Sequence, residues 1–406
     1  MSDRALDGLK VVDVTHYIAG PYCTKLLANF GAEVIKVERP DGGDPARTMG
    51  PFLKDETHPE KSGFFLYLNT SKKSITLNLK TETGVKIFKD LVKNADVLVE
   101  NFHPRLMPSL GLSYETLEKM NPRLVMTSIS NFGQTGPYRD YKATTLTTLA
   151  VGGQIAITGE ENRPYKMGGW QAEYMAGLQG FQATLIALLW RGKDGPGQQV
   201  DLSIMDVISG NLEGATTEYP YLGMIRRRKA NRFVYGHPVG MYPAKDGYIT
   251  VLPGLGGMSM LALLLERPEL EQDPQFMDRY WRQEHWQEFD ERFIHPYLKE
   301  HEKRDIYERA QELRMPFAPI STIDELLDDR QLKYRQYFVD IEHPVAGRLT
   351  YPGAPFKMSE TPWQAERAPI LGEHNEEVYC QRLGYSKEDL VKLRERNIIQ
   401  RSCKEV

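Results

Sequence analysis

The sequence predicts an α/β fold: a large Rossmann-like domain with a parallel sheet, and a smaller α+β domain. Three observations carry this reading: short continuous apolar runs such as VVDV (11–14) and DVLVE (96–100), helical periodicity in the segments between them, and a length of 406 residues. A chain that long exceeds one ordinary core and divides into domains. Continuous apolar runs suit strands buried on both faces, which is the situation in a parallel sheet covered by its crossover helices.

The elements follow in order. VVDV reads as a strand, PYCTKLLANF as a helix opened by Pro21 and closed at Gly31, and AEVIKVE (32–38) as the next strand, making one βαβ unit. ITLNL (75–79), the helix TGVKIFKDLVKNA and DVLVE repeat that unit. SYETLEKM followed by RLVMTSIS (123–130) repeats it again. From 145 to 192 the abundance of Ala, Gly, Leu and Thr predicts closely packed helices, and QQVDLSI (198–204) a further strand. YLGMIRRRKANRFVYGHP combines a basic run with aromatics, Gly and Pro, as a linker does. Its Arg226, Arg227, Arg228 and Lys229 fit either a solvated charge run or a phosphate contact. A smaller domain follows, with short strands near GYITVLP and charged helices through 281–313. GAPFKMSETPW is extended, and SKEDLVKLRERNII is an amphipathic terminal helix with Ser386 as N-cap.

Composition excludes several function classes. With 41% apolar and 26% charged residues the chain is globular, and its net charge of −4 leaves no excess of cations for a nucleic-acid backbone. MSDRALDGLK has no apolar signal region, and no run approaches the roughly 18 apolar residues of a membrane span. A cytoplasmic location is therefore expected. Cys23, Cys380 and Cys403 lack metal-ligand spacing and are expected to be free thiols in a reducing compartment. HExxH, GxSxG, GxxxxGK[ST] and a pyrophosphate-cradling GxGxxG are all missing; the loop after the first strand reads THYIAGPYCTK. No metal is expected.

Two features point toward chemistry. Glu38-Arg39 ends the second strand, and a guanidinium there suits a phosphate better than a ribose hydroxyl. Lys80 and Lys142 also fall at ends or loops of sheet elements, where open α/β sheets bind ligands, so a small polyanion is expected. The second feature is GGWQAEYMAG (168–177), where Glu173 enters an apolar helix among small residues. That carboxylate is either a reacting group or an acid favoured by the helix dipole alone. Trp170, Tyr174 and Met167 beside it either line an acyl pocket or pack in the core.

The ordered strings AGPYCTKLLANFGAEVIKVERPDGGDPAR, NTSKKSITLNLK, DVLVENFHP, GLSYETLEKMNPRLVMTSISNFGQTGPY, GPGQQVDLSIMD and GAPFKMSETPW together resemble the class III CoA-transferases, which include formyl-CoA and carnitine CoA-transferases. The resemblance implies a large domain whose sheet is built from both chain ends, with residues 1–215 and 331–406 enclosing a linker and small domain at 216–330, and two subunits threaded through one another. It implies coenzyme A, as acyl-CoA substrate, on the large domain. Matched position by position, the CoA contacts fall on Tyr17, Ile18, Arg39, Leu77, Lys80, Asn101, Phe102 and Lys142. Ser109 stands where the family often has an arginine, with Arg105 expected to compensate.

In the family an aspartate attacks the donor thioester, CoA leaves as thiolate, and a mixed anhydride carries the acyl group until a carboxylic acid acceptor displaces it and receives CoA. The aspartate stands in a pattern like ADYxxG; here that string is AEYMAG, so Glu173 takes the nucleophile's place with one extra methylene. A displacement of about 1 Å costs on the order of 10²-fold in rate. The resemblance therefore implies a subunit paired with a catalytic homologue in a heterodimer or heterotetramer, as in the succinyl-CoA:benzylsuccinate CoA-transferase of anaerobic aromatic degradation. A self-sufficient homodimer using Glu173 and a structural or regulatory CoA-binding subunit are the alternatives. Racemases of the same fold use a histidine shortly after the glycine loop, and this chain has none between His103 and His237.

Overall fold

The computed structural model describes residues 4–212, 214–232, 236–254 and 257–400. It divides into two compact units: one from residues up to 154, 166–224 and 335 onward, the other from 155–165 and 225–334. Cys403 lies outside the described residues, as do parts of the linker around 233–235. Cys23 and Cys380 are free thiols, and burial pushes the Cys23 thiol up to about 12.

The first unit is built on a six-stranded sheet, all of whose pairings are parallel. In chain order its elements begin with β1 (Lys10–Asp13), α1 (Ala19–Asn29), β2 (Glu33–Glu38), α2 (Gly63–Leu68), β3 (Lys73–Thr76), α3 (Glu82–Val92) and β4 (Val97–Glu100). Then come α4 (Leu106–Ser109), α5 (Tyr114–Glu118), β5 (Val125–Ser130) and α6 (Thr145–Val151). α7 (Gln154–Ile157) leads into the second unit, to which the two-residue ladder of β6 (Gly159–Glu160) with β7 (Arg163–Pro164) belongs; the first unit resumes with α8 (Gln171–Arg191) and β8 (Gln198–Ser203). Strand order across the large sheet is β3-β2-β1-β4-β5-β8. The chain thus steps outward from β1 in one direction and then, from β4 onward, in the other. Such a reversal opens a crevice at the carboxyl ends of β1 and β4.

Every residue of β4 and β5 is buried, as the continuous apolar runs require. One face of the sheet packs Val12, Ile35, Ile75 and Leu98 against Ile87, Phe88 and Leu91 of α3. The C-terminal segment completes the same cluster with Val378, Tyr379, Leu390 and Ile399. On α8, a Cβ at Gly177 would lie 2.5 Å from the Ala19 carbonyl oxygen, and one at Gly180 would lie 2.9 Å from Ile129 Cδ1. The small residues of EYMAGLQG therefore let α8 settle directly on α1 and β5.

Several expectations need correction. All six strands come from residues 10–203, so the sheet is not built from both chain ends. The C-terminal segment lacks continuous apolar runs; it adds a separate hairpin (Phe338–His343 with Gly347–Pro352) and the helix Lys387–Glu395, whose apolar residues recur at helical spacing and cover the sheet. Ser386 caps that helix in a reciprocal capping box with Asp389. β3 stops at Thr76: Leu77 N–H still donates to Glu38 O of β2, but Asn78 N–H donates to Ile398 O of the C-terminal segment, both at 2.8 Å. α1 begins at Ala19, two residues before Pro21.

The second unit has a three-stranded sheet in which Gly247–Val251 pairs antiparallel with both Gly240–Ala244 and Ala318–Pro319. Short helices surround a core that includes Phe276, Phe289 and Phe293. Arg228 is not a solvated linker cation there: its guanidinium donates to the carbonyls of Ala156, Glu160 and Glu161.

Candidate active site

The loops leaving β1 and β2 are held by buried charge. Lys36 pairs with Asp44 at 2.8 Å and donates to Thr15 O, while Lys72 pairs with Asp13 at 3.0 Å; all four charged side chains are buried. Arg47 donates to both oxygens of Glu38 and also pairs with Glu60. Burial opposes the Glu38 charge, but the Arg47 guanidinium prevails and brings its carboxyl down to about 2. Removing one partner from such a pair strands the other charge in the core. The turn carrying Arg39 is thereby anchored from below, and Arg39 Nε itself donates to Gly43 O at 3.1 Å.

Above this foundation a cleft of about 680 Å³ opens beside the carboxyl ends of β1, β2 and β3. Arg39, Leu77, Lys80 and Phe102 line it, so four of the eight matched CoA positions share one cavity. His16, Asp41, Asn397 and Gln400 line it as well and were not anticipated. The last two stand more than 300 residues from the first strand, and no local signal marks them. Burial lowers the His16 pKa, with Asp44 acting against and Lys36 and Arg39 with it, so this imidazole is neutral.

The other four positions are placed differently. Asn101 clasps the backbone of His16: its Oδ1 accepts from His16 N–H and its Nδ2 donates to His16 O, both at 2.8 Å. That makes it a brace for the loop after β1. Tyr17 has φ 64°, a left-handed conformation uncommon for a residue with a Cβ, and its N–H donates to Asp44 Oδ1 at 3.0 Å. Ile18 is buried at the start of α1. Lys142 is exposed in the loop before α6 and does not line the cleft. Arg105, expected to compensate for Ser109, instead makes two hydrogen bonds to Asp140.

Glu173 sits in the first turn of α8. Its Oε1 accepts a hydrogen bond from the Thr145 hydroxyl, whereas Oε2 is buried with no hydrogen-bond partner among the described residues. One oxygen is fixed and the other is desolvated. Such an oxygen lacks the hydration that would otherwise have to be stripped before attack on a carbonyl. Tyr174 packs edge-on against Tyr22, with ring centroids 4.9 Å apart, and Trp170 against Phe64 at 6.3 Å. Both rings therefore have packing roles next to the acid.

The family model described as CoA-transferase family III matches residues 6–375. The chain belongs to CoA-transferase family III. It is 34% identical to the succinyl-CoA–D-citramalate CoA-transferase of Chloroflexus aurantiacus, with 98% of each chain covered. It is 32% identical to subunit BbsE of the succinyl-CoA:(R)-benzylsuccinate CoA-transferase of Thauera aromatica, covering 91% of this chain and 92% of that one. Among solved structures, a CAIB/BAIF family protein from Brucella suis superposes with a TM-score of 0.85 at 31% identity, covering 94% of this chain and all of that one. As a family III CoA-transferase, the chain takes CoA thioesters as substrates. Among the described residues no group of His, Cys, Asp and Glu could hold a metal ion, and no helix is long and apolar enough to cross a membrane.

Proposed function

We propose that this chain is a subunit of a CoA-transferase that moves CoA from a succinyl-CoA-type donor to a small carboxylic acid, with the acyl-CoA nucleotide in the cleft beside β1 to β3. The observation that carries the reading is the convergence of Arg39 and Lys80 on one cavity with Leu77 and Phe102. Two cations attract the phosphates, while the apolar walls suit the adenine ring. Asn101, Tyr17 and Ile18 shape the loop beneath the nucleotide. Succinyl-CoA in the names of both relatives supports the donor class.

Pairing with a homologous, catalytically complete subunit in an interlocked assembly is part of this proposal. Its support is the extra methylene at position 173 and the relative named as a subunit. A specific observation favours a second reading, in which Glu173 is itself the nucleophile: Thr145 holds Oε1 and leaves Oε2 desolvated. The discriminating experiment purifies the chain alone and with a co-expressed homologue, then follows CoA exchange from succinyl-CoA to dicarboxylates. Activity that requires the homologue and survives Glu173→Gln supports the paired subunit. Activity of the isolated chain that Glu173→Gln lowers roughly a thousandfold or more establishes the second reading.

A further inference from the structure

Four tyrosines of the first unit gather beside position 173. Tyr174 follows Glu173 on α8 and packs edge-on against Tyr22 of α1, with ring centroids 4.9 Å apart, and the Tyr67 ring of α2 lies 6.4 Å from that of Tyr174. Tyr22 stands against α8, since a Cβ on Gly177 would come within 3.1 Å of its own Cβ. The Tyr337 hydroxyl acts electrostatically on those of Tyr22 and Tyr67, which places the fourth phenol in the same group. All four residues are only partly buried, and among the described residues none of their hydroxyls has a hydrogen-bond partner. A packed tyrosine ordinarily finds one. Here the rings are fixed by packing and the O–H groups are left over. Burial first, and neighbouring hydroxyls after it, raise the Tyr22 and Tyr67 phenols and bring Tyr174 up to about 12, so these three stay protonated donors at neutral pH. Against the face of the Tyr67 ring, 4.6 Å from its centroid, stands the Lys25 ammonium, which donates to Thr70 Oγ1 at 3.0 Å. Among the described residues no carboxylate lies within salt-bridge distance of it.

We infer that Tyr22, Tyr67, Tyr174 and Tyr337 receive the distal carboxylate of a dicarboxylic acyl group, and so select succinyl-type thioesters over monocarboxylic ones of the same length. The inference rests on the proposed transferase reading, with the acyl group brought to position 173. The chemistry of the donors carries it. An ionised carboxylate only accepts hydrogen bonds and offers about four lone-pair sites, a number that four phenol O–H groups match. Hydrogen bonds to an anion are roughly twice as strong as neutral ones, so hydroxyls left free by the fold gain most from a charged group. Burial and the nearby Lys72 lower the Lys25 pKa to about 7, and a carboxylate arriving on the far side of Tyr67 favours its charged form. A methyl group in the same place would leave the hydroxyls unpaired, which is how a polar site rejects an analogue.

The test measures binding by calorimetry on the full chain purified alone, in whatever assembly it forms, carrying Glu173→Gln to keep position 173 from reacting. It compares succinyl-CoA with butyryl-CoA, which differ only in a terminal carboxylate against a methyl group. Succinyl-CoA is expected to bind on the order of tenfold more tightly. Tyr67→Phe/Tyr174→Phe, which keeps both rings, should remove that preference by weakening succinyl-CoA alone; if that pair fails to fold, Tyr22→Phe/Tyr337→Phe carries the same expectation. Tyr114→Phe, at the start of α5, should leave the ratio unchanged. The assignment is overturned if the parent shows no preference, if the double variant keeps the parent's ratio, or if it weakens both thioesters equally. Failure of the parent to bind either thioester would be distinct from these, taking the assignment down together with the CoA cleft on which it rests.

Discussion

Glu100 ends β4 beneath the loop that carries Asn101 and Phe102, and only 3% of it is exposed. Burial raises its carboxyl to about 7, against the Phe102 N–H and the Ser128 hydroxyl, which favour the charged form. The folded pKa exceeds the unfolded value of about 4.3, so the fold binds a proton that the unfolded chain releases. Its contribution to stability is full below about pH 4.3 and is lost as pH rises through about 7. Glu100→Gln should flatten the decline in Tm between pH 5 and 8, which thermal unfolding across that range would reveal; an unchanged slope would remove Glu100 as its source. At this scale the sequence placed Arg39 just after β2 and Lys80 in the segment after β3, and both line the cleft. For Asn101 the resemblance implied a CoA contact, while nothing in ENF showed that its amide clasps the His16 backbone.

The element on which most depends is α8, since it carries Glu173 at its start and lies on α1 through Gly177. Glycine in a helix interior is disfavoured by about 1 kcal/mol relative to alanine, so Gly177 is kept here by contact rather than propensity. Gly177→Ala would place its Cβ 2.5 Å from the Ala19 carbonyl oxygen, a backbone atom that cannot step aside. The expected net loss is about 1–3 kcal/mol, seen as a lower Tm despite the gain in helix propensity; a stabilised variant would show that the helices are free to separate. The sequence announced a small-residue face, and hence close packing, but not which helix would meet it. The β6–β7 ladder and the early end of β3 were equally hidden. Two-residue ladders carry no periodicity, and the departure of the chain from β2 at Asn78 goes with a bond to Ile398, far along the chain.

For the molecule as a whole, α8 leaves Ile186, Leu189 and Trp190 each more than half exposed, at 67%, 69% and 55%. In the proposed assembly a partner subunit would cover these clustered apolar side chains. Native mass spectrometry of the chain co-expressed with its homologue should show at least two chains per particle, and unlike chains if the paired reading is right; a monomer at micromolar concentration would end the interlocked assembly. The alternation of strands and helices up to residue 203 was determined by sequence alone, because hydrophobic periodicity and helix signals act over a few neighbouring residues. The family was legible for a related reason: its strings recur in order along the chain. Only the tertiary structure decided that the sheet closes without the C-terminal segment, that Asn397 and Gln400 nevertheless reach the cleft, and that Arg39 and Lys80 share it while Lys142 stands outside. Those facts depend on contacts between residues from tens to hundreds of positions apart, whose burial is settled by how the whole core packs.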